Sequence, residues 1–123
     1  MKIYANNSVT TNITPTPGGG QSDAAQLNPG YNAINDAASS YDSVQLPAAK
    51  AGSIVIGFVT GIQTKVLGVY AKFGTSDVIN SEIYESSNSN VFFWPSAFVV
   101  GDNQIFIAQC IEDGIWRSNV TAN

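Results

Sequence analysis

The chain has 123 residues, 44% of them hydrophobic, which is enough for one compact core and argues against a disordered chain. Only 11% are charged, compared with roughly 25% in an ordinary soluble domain, so much of the surface must be neutral. The five basic residues are scattered through a chain of net charge −4 and form no stripe that would neutralise nucleic-acid phosphates. An extracellular monomer can tolerate a neutral exterior, but charge depletion is also typical of protein contact surfaces, and we therefore expect assembly with other protein chains.

Residues 1–20 are predicted to form an extended arm and linker that precede a single domain at residues 21–123. The stretch from Thr14 to Gly20 contains two prolines, which favour extended backbone, and three glycines, which add flexibility. The segment before it is too short to fold alone, but it carries apolar residues that could bind a partner: Ile3, Tyr4, Val9 and Ile13. We expect this arm to become ordered only in an assembly, and the alternative is a frayed terminus.

The first residues become polar too early to provide the apolar core of a signal peptide, and no stretch is apolar enough to cross a membrane. We therefore expect synthesis in a cytoplasm and no membrane partner. The single cysteine, Cys110, lies in an apolar run, where we expect it to be buried as a small hydrophobic residue rather than paired in a disulfide.

From residue 31 onward, short β-branched and aromatic runs alternate with turn residues, and no helical period is sustained. The spacing of the turn residues is typical of a sandwich or barrel, so the predicted fold is all-β, an antiparallel β-sandwich or jelly-roll-like domain. Asp113-Gly114 suits a tight turn and predicts an antiparallel hairpin between the last two runs. The predicted strands are Tyr41–Leu46, Ser53–Thr60, Thr64–Ala71, Val78–Tyr84, Val91–Trp94, Ala97–Val100, Gln104–Ile111 and Ile115–Val120.

Two of these strands are apolar at both alternating positions. In Ile54–Val59 and in Gln104–Ile111, residues of either parity are hydrophobic, which indicates that protein covers each face of the strand. Because the domain is small, we expect a neighbouring subunit to provide the second cover.

The sequence contains no recognised catalytic or metal-binding pattern. It has no histidine, which excludes Ser-His-Asp and Cys-His arrangements and any metal site that relies on imidazole. The pairs Glu82 with Glu85 and Glu112 with Asp113 are the remaining candidates for glycoside hydrolysis, but neighbours in sequence do not face each other across a sugar. We expect a protein that is not an enzyme and uses no cofactor or metal.

Aromatic residues provide a different kind of candidate site. Tyr84, Phe92, Phe93 and Trp94 could stack on a host glycan, or they could pack in the core or in a protein interface. Trp116 follows the predicted hairpin turn, and we expect it to fill the core.

One stretch in the first half of the chain has a pattern found in known proteins. It is Asp42-Ser43-Val44-Gln45-Leu46-Pro47-Ala48-Ala49-Lys50-Ala51-Gly52, and it resembles a family of small bacteriophage virion domains found in head decoration proteins, head fibres and tail fibres. These domains share an Asp-x-Val-x-Leu-Pro-x-Ala-x-x-Gly pattern. The resemblance covers roughly residues 21–118 and includes Gly114-Ile115-Trp116 near its end. The bulky Val91–Pro95 stretch departs from it. By residue type, Leu46 should anchor a strand, Pro47 should end it, and Gly52 should turn the chain.

The resemblance implies a virion structural protein, and the short length favours a capsid decoration (cement) protein on the outer surface of the phage head. Its partners would be the major capsid protein and other copies of itself, with a homotrimer suited to three-fold sites of the capsid. The alternative is a tail fibre or head fibre adhesin that binds host surface glycans through Tyr84 and Trp94. A small glycan-cleaving enzyme built on the carboxylate pairs is a third hypothesis.

Overall fold

The computed structural model describes residues 9–17, 20–35, 42–61, 67–80 and 97–121. In these ranges the backbone forms eleven β-strands and no helix, which confirms the predicted all-β class for this part of the chain. The strands are β1 Val9–Ile13, β2 Thr16–Pro17, β3 Ala25–Gln26, β4 Gly30–Asn35, β5 Asp42–Gln45, β6 Ile54–Thr60, β7 Leu67–Tyr70, β8 Val78–Ile79, β9 Ala97–Val100, β10 Ile105–Glu112 and β11 Ile115–Val120.

The strands form two hydrogen-bonded sheets. One has six strands in the order β1-β4-β6-β10-β11-β8. The other has five strands, in the order β2-β5-β7-β9, with β3 also paired to β5. Since β7 occupies one edge of β5 along its whole length, β2 and β3 pair one after the other along the opposite edge.

The prediction of antiparallel sheets is wrong, because both sheets are mixed. β4 pairs in parallel with β1 and β6, and β5 pairs in parallel with β3 and β7. A parallel pair needs a crossover connection, which in most proteins is a helix. Here the crossover is a strand of the other sheet: the chain passes from β4 through β5 to β6, and from β5 through β6 to β7.

The hairpin predicted at Asp113-Gly114 is confirmed. β10 and β11 are antiparallel and paired from Phe106 with Val120 to Cys110 with Trp116, and a bulge adjoins the turn. Gly114 has a φ of 88°, which is the left-handed region that glycine adopts at little cost. Among the described strands, this is the one pair that is both consecutive in the chain and hydrogen-bonded.

The other predicted strands agree with the structure where it describes them. The runs beginning at Tyr41, Ser53 and Ala97 correspond to β5, β6 and β9. Thr64–Ala71 and Val78–Tyr84 are described in part and contain β7 and β8. Val91–Trp94 lies outside the described residues.

Residues of both sheets share one hydrophobic core. Its largest fully buried side chains are Trp116, Phe106, Leu27, Ile34, Leu46, Leu67, Ile79, Val44, Val55, Val59, Val69 and Val100. Trp116, expected to fill the core, is therefore in it.

The described part of the predicted arm is paired with both sheets. β1 lies beside β4, β2 lies beside β5, and Ile13 is buried in the core cluster. Thr16 and Pro17, in the predicted linker, are thus part of the five-stranded sheet. In the structure, residues 9–17 are therefore attached to strands of both sheets.

Candidate assembly surface

The stretch Asp42–Gly52, singled out by its residue pattern in the sequence, runs from β5 into the loop that follows it. Val44 and Leu46 are fully buried, and Asp42 is buried as well. Leu46 donates its backbone N–H to the carbonyl of Tyr70 at 2.8 Å, which extends the pairing of β5 with β7 by one residue. Because proline has no N–H to donate, Pro47 ends this pairing.

Two carboxylates hold the loop after Pro47. The backbone N–H of Ala49 donates to Oδ2 of Asp77 at 2.8 Å, and the N–H of Ala51 donates to Oδ1 of Asp113 at 2.8 Å. Bonds from a backbone N–H to an ionised carboxylate are stronger than neutral ones. These two acidic side chains therefore help to fix the position of the loop.

Backbone bonds attach the same loop to the β10–β11 hairpin. Gly52, whose φ is 97°, donates its N–H to the carbonyl of Cys110 at 2.7 Å, and Cys110 donates back to the carbonyl of Ser53 at 3.0 Å. Gly114 in the hairpin turn donates to the carbonyl of Ala49 at 3.0 Å. The Asp42–Gly52 stretch thus includes a mechanical connection between the loop and the hairpin.

The outer side of the six-stranded sheet carries a continuous apolar surface. Residues paired across a sheet point to the same side, and Val9 pairs with Tyr31, Tyr31 with Ile56, and Ile56 with Ile107. A second row consists of Phe58 and its partner Ile105. We call this surface the apolar face, and it comprises Val9, Tyr31, Ile54, Ile56, Phe58, Ile105 and Ile107.

Burial alternates strictly along the two central strands of this sheet. In β6, Val55 and Val59 are fully buried, whereas Ile54, which precedes Val55, and Phe58, which precedes Val59, are exposed. In β10, Phe106 is buried while its neighbours are exposed. The six large side chains of the apolar face other than Ile56 have exposed fractions between 36% and 63%. The cover expected on this side of β6 and β10 is therefore not provided by the described residues.

The apolar face is also almost free of charge. Asn35, Gln109 and Asn119, which point outward beside it, are neutral. One outward-pointing neighbour is charged, namely Arg117, which is paired with Gln109. It is the one charged side chain on this side of the described strands β1, β4, β6 and β11 and of β10 as far as Gln109. A surface of this composition is suited to contact with another protein surface.

Of the residues predicted to bind a partner, the structure describes two, and these have different surroundings. Val9 lies on the apolar face with 63% of its surface exposed, whereas Ile13 is buried in the core of its own chain and is not available to a capsid protein. The remaining candidates lie outside the described residues: Ile3, Tyr4, Tyr84, Phe92, Phe93 and Trp94. The sequence indicated the β6 and β10 part of the surface through apolar residues at both parities, but it did not indicate Tyr31.

The described side chains do not form a cluster that could hold a metal. No group of three or more Cys, Asp and Glu residues lies together among them. Cys110 is a buried free thiol, and burial raises the pKa of this thiol above its ordinary value. A thiol with a raised pKa is a poor nucleophile at neutral pH. The described part of the chain also has no helix of the length and apolarity needed to cross a membrane.

The described strands define a protein of the all-β class, built from two mixed sheets that share a core. No known protein family, curated protein or solved structure matches the chain. Function is therefore argued from the surface and from the sequence.

Proposed function

We propose that the chain is a phage virion structural protein, most specifically a capsid decoration protein that binds the outer head surface and stabilises the shell. The observation that carries this proposal is the apolar face, a large, nearly uncharged sheet surface that the described chain leaves uncovered. Such a surface is a contact site for protein, because exposed apolar patches of this kind mark interaction sites. The resemblance of Asp42–Gly52 to virion domains supports the phage particle as the assembly.

The proposed action is thermodynamic. A protein that binds the mature shell better than free capsid subunits stabilises the shell by mass action. The proposal includes no catalytic step, since the sequence has no histidine and Asp77 and Asp113 are engaged in holding backbone N–H groups. The proposed partners are the major capsid protein and other copies of the chain, as a homotrimer, and the proposed location is the outside of the head.

The finer description of the fold also belongs to this proposal. We propose that the two sheets lie face to face as a sandwich or jelly roll. The single core cluster supports this arrangement, since it contains Val55 and Phe106 of one sheet together with Val44 and Val69 of the other. Two sheets that each bury one side against the other would leave their outer sides for contacts with other chains.

The test uses phage particles whose genome encodes the chain, prepared with and without its gene. Purified chain is added back, its position is determined by cryo-electron microscopy, and the temperature of genome release is measured. We expect density at regular positions on the outer head surface and release at a higher temperature when the chain is bound. Density on the tail alone, or heads that do not bind the chain, would contradict the proposal.

The alternative is an adhesin that binds host glycans. It depends on Tyr84, Phe92, Phe93 and Trp94, and no contact of the described residues favours it over the capsid role. Binding of the purified chain to a glycan array, together with no binding to heads, would establish the adhesin instead.

A further inference from the structure

We propose that the apolar face packs against the same face of other copies of this chain. This inference rests on the proposed function, in which the face is an assembly surface, and it names the occupant as a second copy rather than the capsid protein. The contact would be centred on the row that joins Tyr31, Ile56 and Ile107 across three neighbouring strands.

The size of the face is suited to such a contact. Six large side chains that are each exposed by 36% to 63% amount to an apolar area on the order of 500 Å², toward the upper end for the largest apolar patch of a monomer. The polar residues at its border, such as Asn35, Gln109 and Asn119, extend the area further. The six apolar side chains thus provide more than half of the roughly 800 Å² per partner that a stable protein interface buries.

The distribution of charge favours a second copy as the partner. With a net charge of −4, two copies repel each other unless the contact keeps their acidic groups apart. None of the seven residues of the apolar face is charged. Asp42 is buried in the five-stranded sheet, Asp77 and Asp113 hold the loop after β5, and Glu112 ends β10 five positions beyond Ile107. Two copies can therefore bring Tyr31, Ile56 and Ile107 together without a carboxylate in the row itself. A charged partner surface, in contrast, would lose solvation against isoleucine and phenylalanine.

The arrangement of the row also fits a symmetric assembly. Across a twofold axis both copies use the same surface, so that surface must be complementary to itself. Apolar side chains with no donor or acceptor to match, such as Ile56 and Ile107, meet this requirement. Around a threefold axis, only the residues next to the axis would meet their equivalents, and the rest of each face would contact a different part of the neighbouring copy.

The test is the oligomeric state of the purified full chain, measured by sedimentation and light scattering over a range of concentrations. Ile107→Glu and Tyr31→Glu place a charge on two different strands of the face. Val99→Glu is the matched control, because Val99 is 59% exposed on β9 of the other sheet. Circular dichroism and thermal unfolding of each variant show whether it is folded.

We expect the wild-type chain and Val99→Glu to form the same closed oligomer, and each face variant to be folded but dissociated, with dissociation constants raised about 100-fold or more. A wild-type chain that is monomeric, or an oligomer that both face variants retain, would overturn the inference. Head binding by the same proteins separates the two proposals. If the chain is monomeric and its face variants lose head binding, self-association is overturned and the capsid proposal stands. If the chain forms the oligomer but does not bind heads, self-association stands and the capsid proposal is overturned.

Discussion

The ring of Phe106 lies over the backbone of Gly57, its partner across the β6–β10 pair, in the space that a Cβ atom at position 57 would occupy. Phe106 is fully buried, and the ring of Phe98 meets it edge-on, with centroids 5.3 Å apart and planes at 71°. The glycine is therefore required by a close approach within the core and not by a turn. Any side chain at this position must displace a ring that the second sheet holds in place.

Replacing Gly57 with alanine should lower the free energy of unfolding by about 1–3 kcal/mol, because the extra methyl group overpacks the core against Phe106. Urea unfolding of the two proteins measures the difference. Gly20→Ala is the matched control, since a Cβ at that position would meet nothing within 4 Å. Equal stability of Gly57→Ala and Gly20→Ala would contradict the close packing of Phe106 over Gly57.

The bond from Ala49 to Asp77 should contribute measurably to stability. Ala49 is buried, so removing the carboxylate leaves a backbone N–H without its acceptor, and we expect Asp77→Ala to cost about 1–3 kcal/mol. Asp113→Ala removes the equivalent bond to the exposed Ala51, where water can replace the acceptor, and should cost less. Chemical denaturation of both variants measures the difference. Equal losses would show that burial of the N–H does not govern the effect.

Much of the strand content follows from local sequence. Short runs of β-branched and aromatic residues between turn residues predict β6 and β10, and Asp113-Gly114 predicts the hairpin, because both signals depend on neighbours in the chain. The apolar residues at both parities of β6 and β10 also indicated a surface that needs a partner. The structure places one parity in the core and leaves the other partly or fully exposed.

The sheet topology could not be obtained in the same way. β4 and β6 pair in parallel because the chain crosses to the other sheet at β5 and then returns. This pairing is a relationship between residues that are distant in the sequence, so a local pattern does not contain it. β4 itself was missed because Asn32, at its centre, is polar yet buried. The Asn32 amide donates to the carbonyls of Asn28, Gly30 and Ile56, and it accepts the N–H of Asn28. Without these bonds a buried asparagine is unfavourable, and the bond to Ile56 depends on a strand that is distant in the sequence. A polar residue in this segment therefore gave no sign of a buried strand.

The stability of the protein should fall at alkaline pH through Cys110. Burial raises the pKa of this thiol, so the folded state holds its proton at a pH where the unfolded chain, with an ordinary cysteine pKa of about 8.5, loses it. The contribution is complete below about pH 8.5 and is lost as the pH rises through the folded pKa. Unfolding free energies of wild type and Cys110→Ala, measured between about pH 7 and pH 10, should converge as the pH rises. A difference that stays constant with pH would contradict the assignment.

Asn80, where β8 ends beside β11, should stabilise the fold in two ways: through its backbone conformation and through its side-chain hydrogen bonds. Its φ is 53°, a left-handed conformation that asparagine tolerates better than most residues. Its side chain accepts the N–H of Ser118 at 2.8 Å and donates to the Ser118 hydroxyl at 2.7 Å, while its own N–H donates to the carbonyl of Trp116 at 2.7 Å.

Substitutions at Asn80 separate these two requirements. Asn80→Gly retains the backbone conformation and loses the side-chain bonds, whereas Asn80→Ala loses both, and we expect it to cost about 1–2 kcal/mol more than the glycine variant. Asn80→Asp keeps the acceptor for Ser118 and should lose least. Urea unfolding ranks the three variants, and hydrogen exchange at the Ser118 amide reports whether β8 has separated from β11. An alanine variant as stable as the glycine variant would show that the left-handed conformation is not needed there.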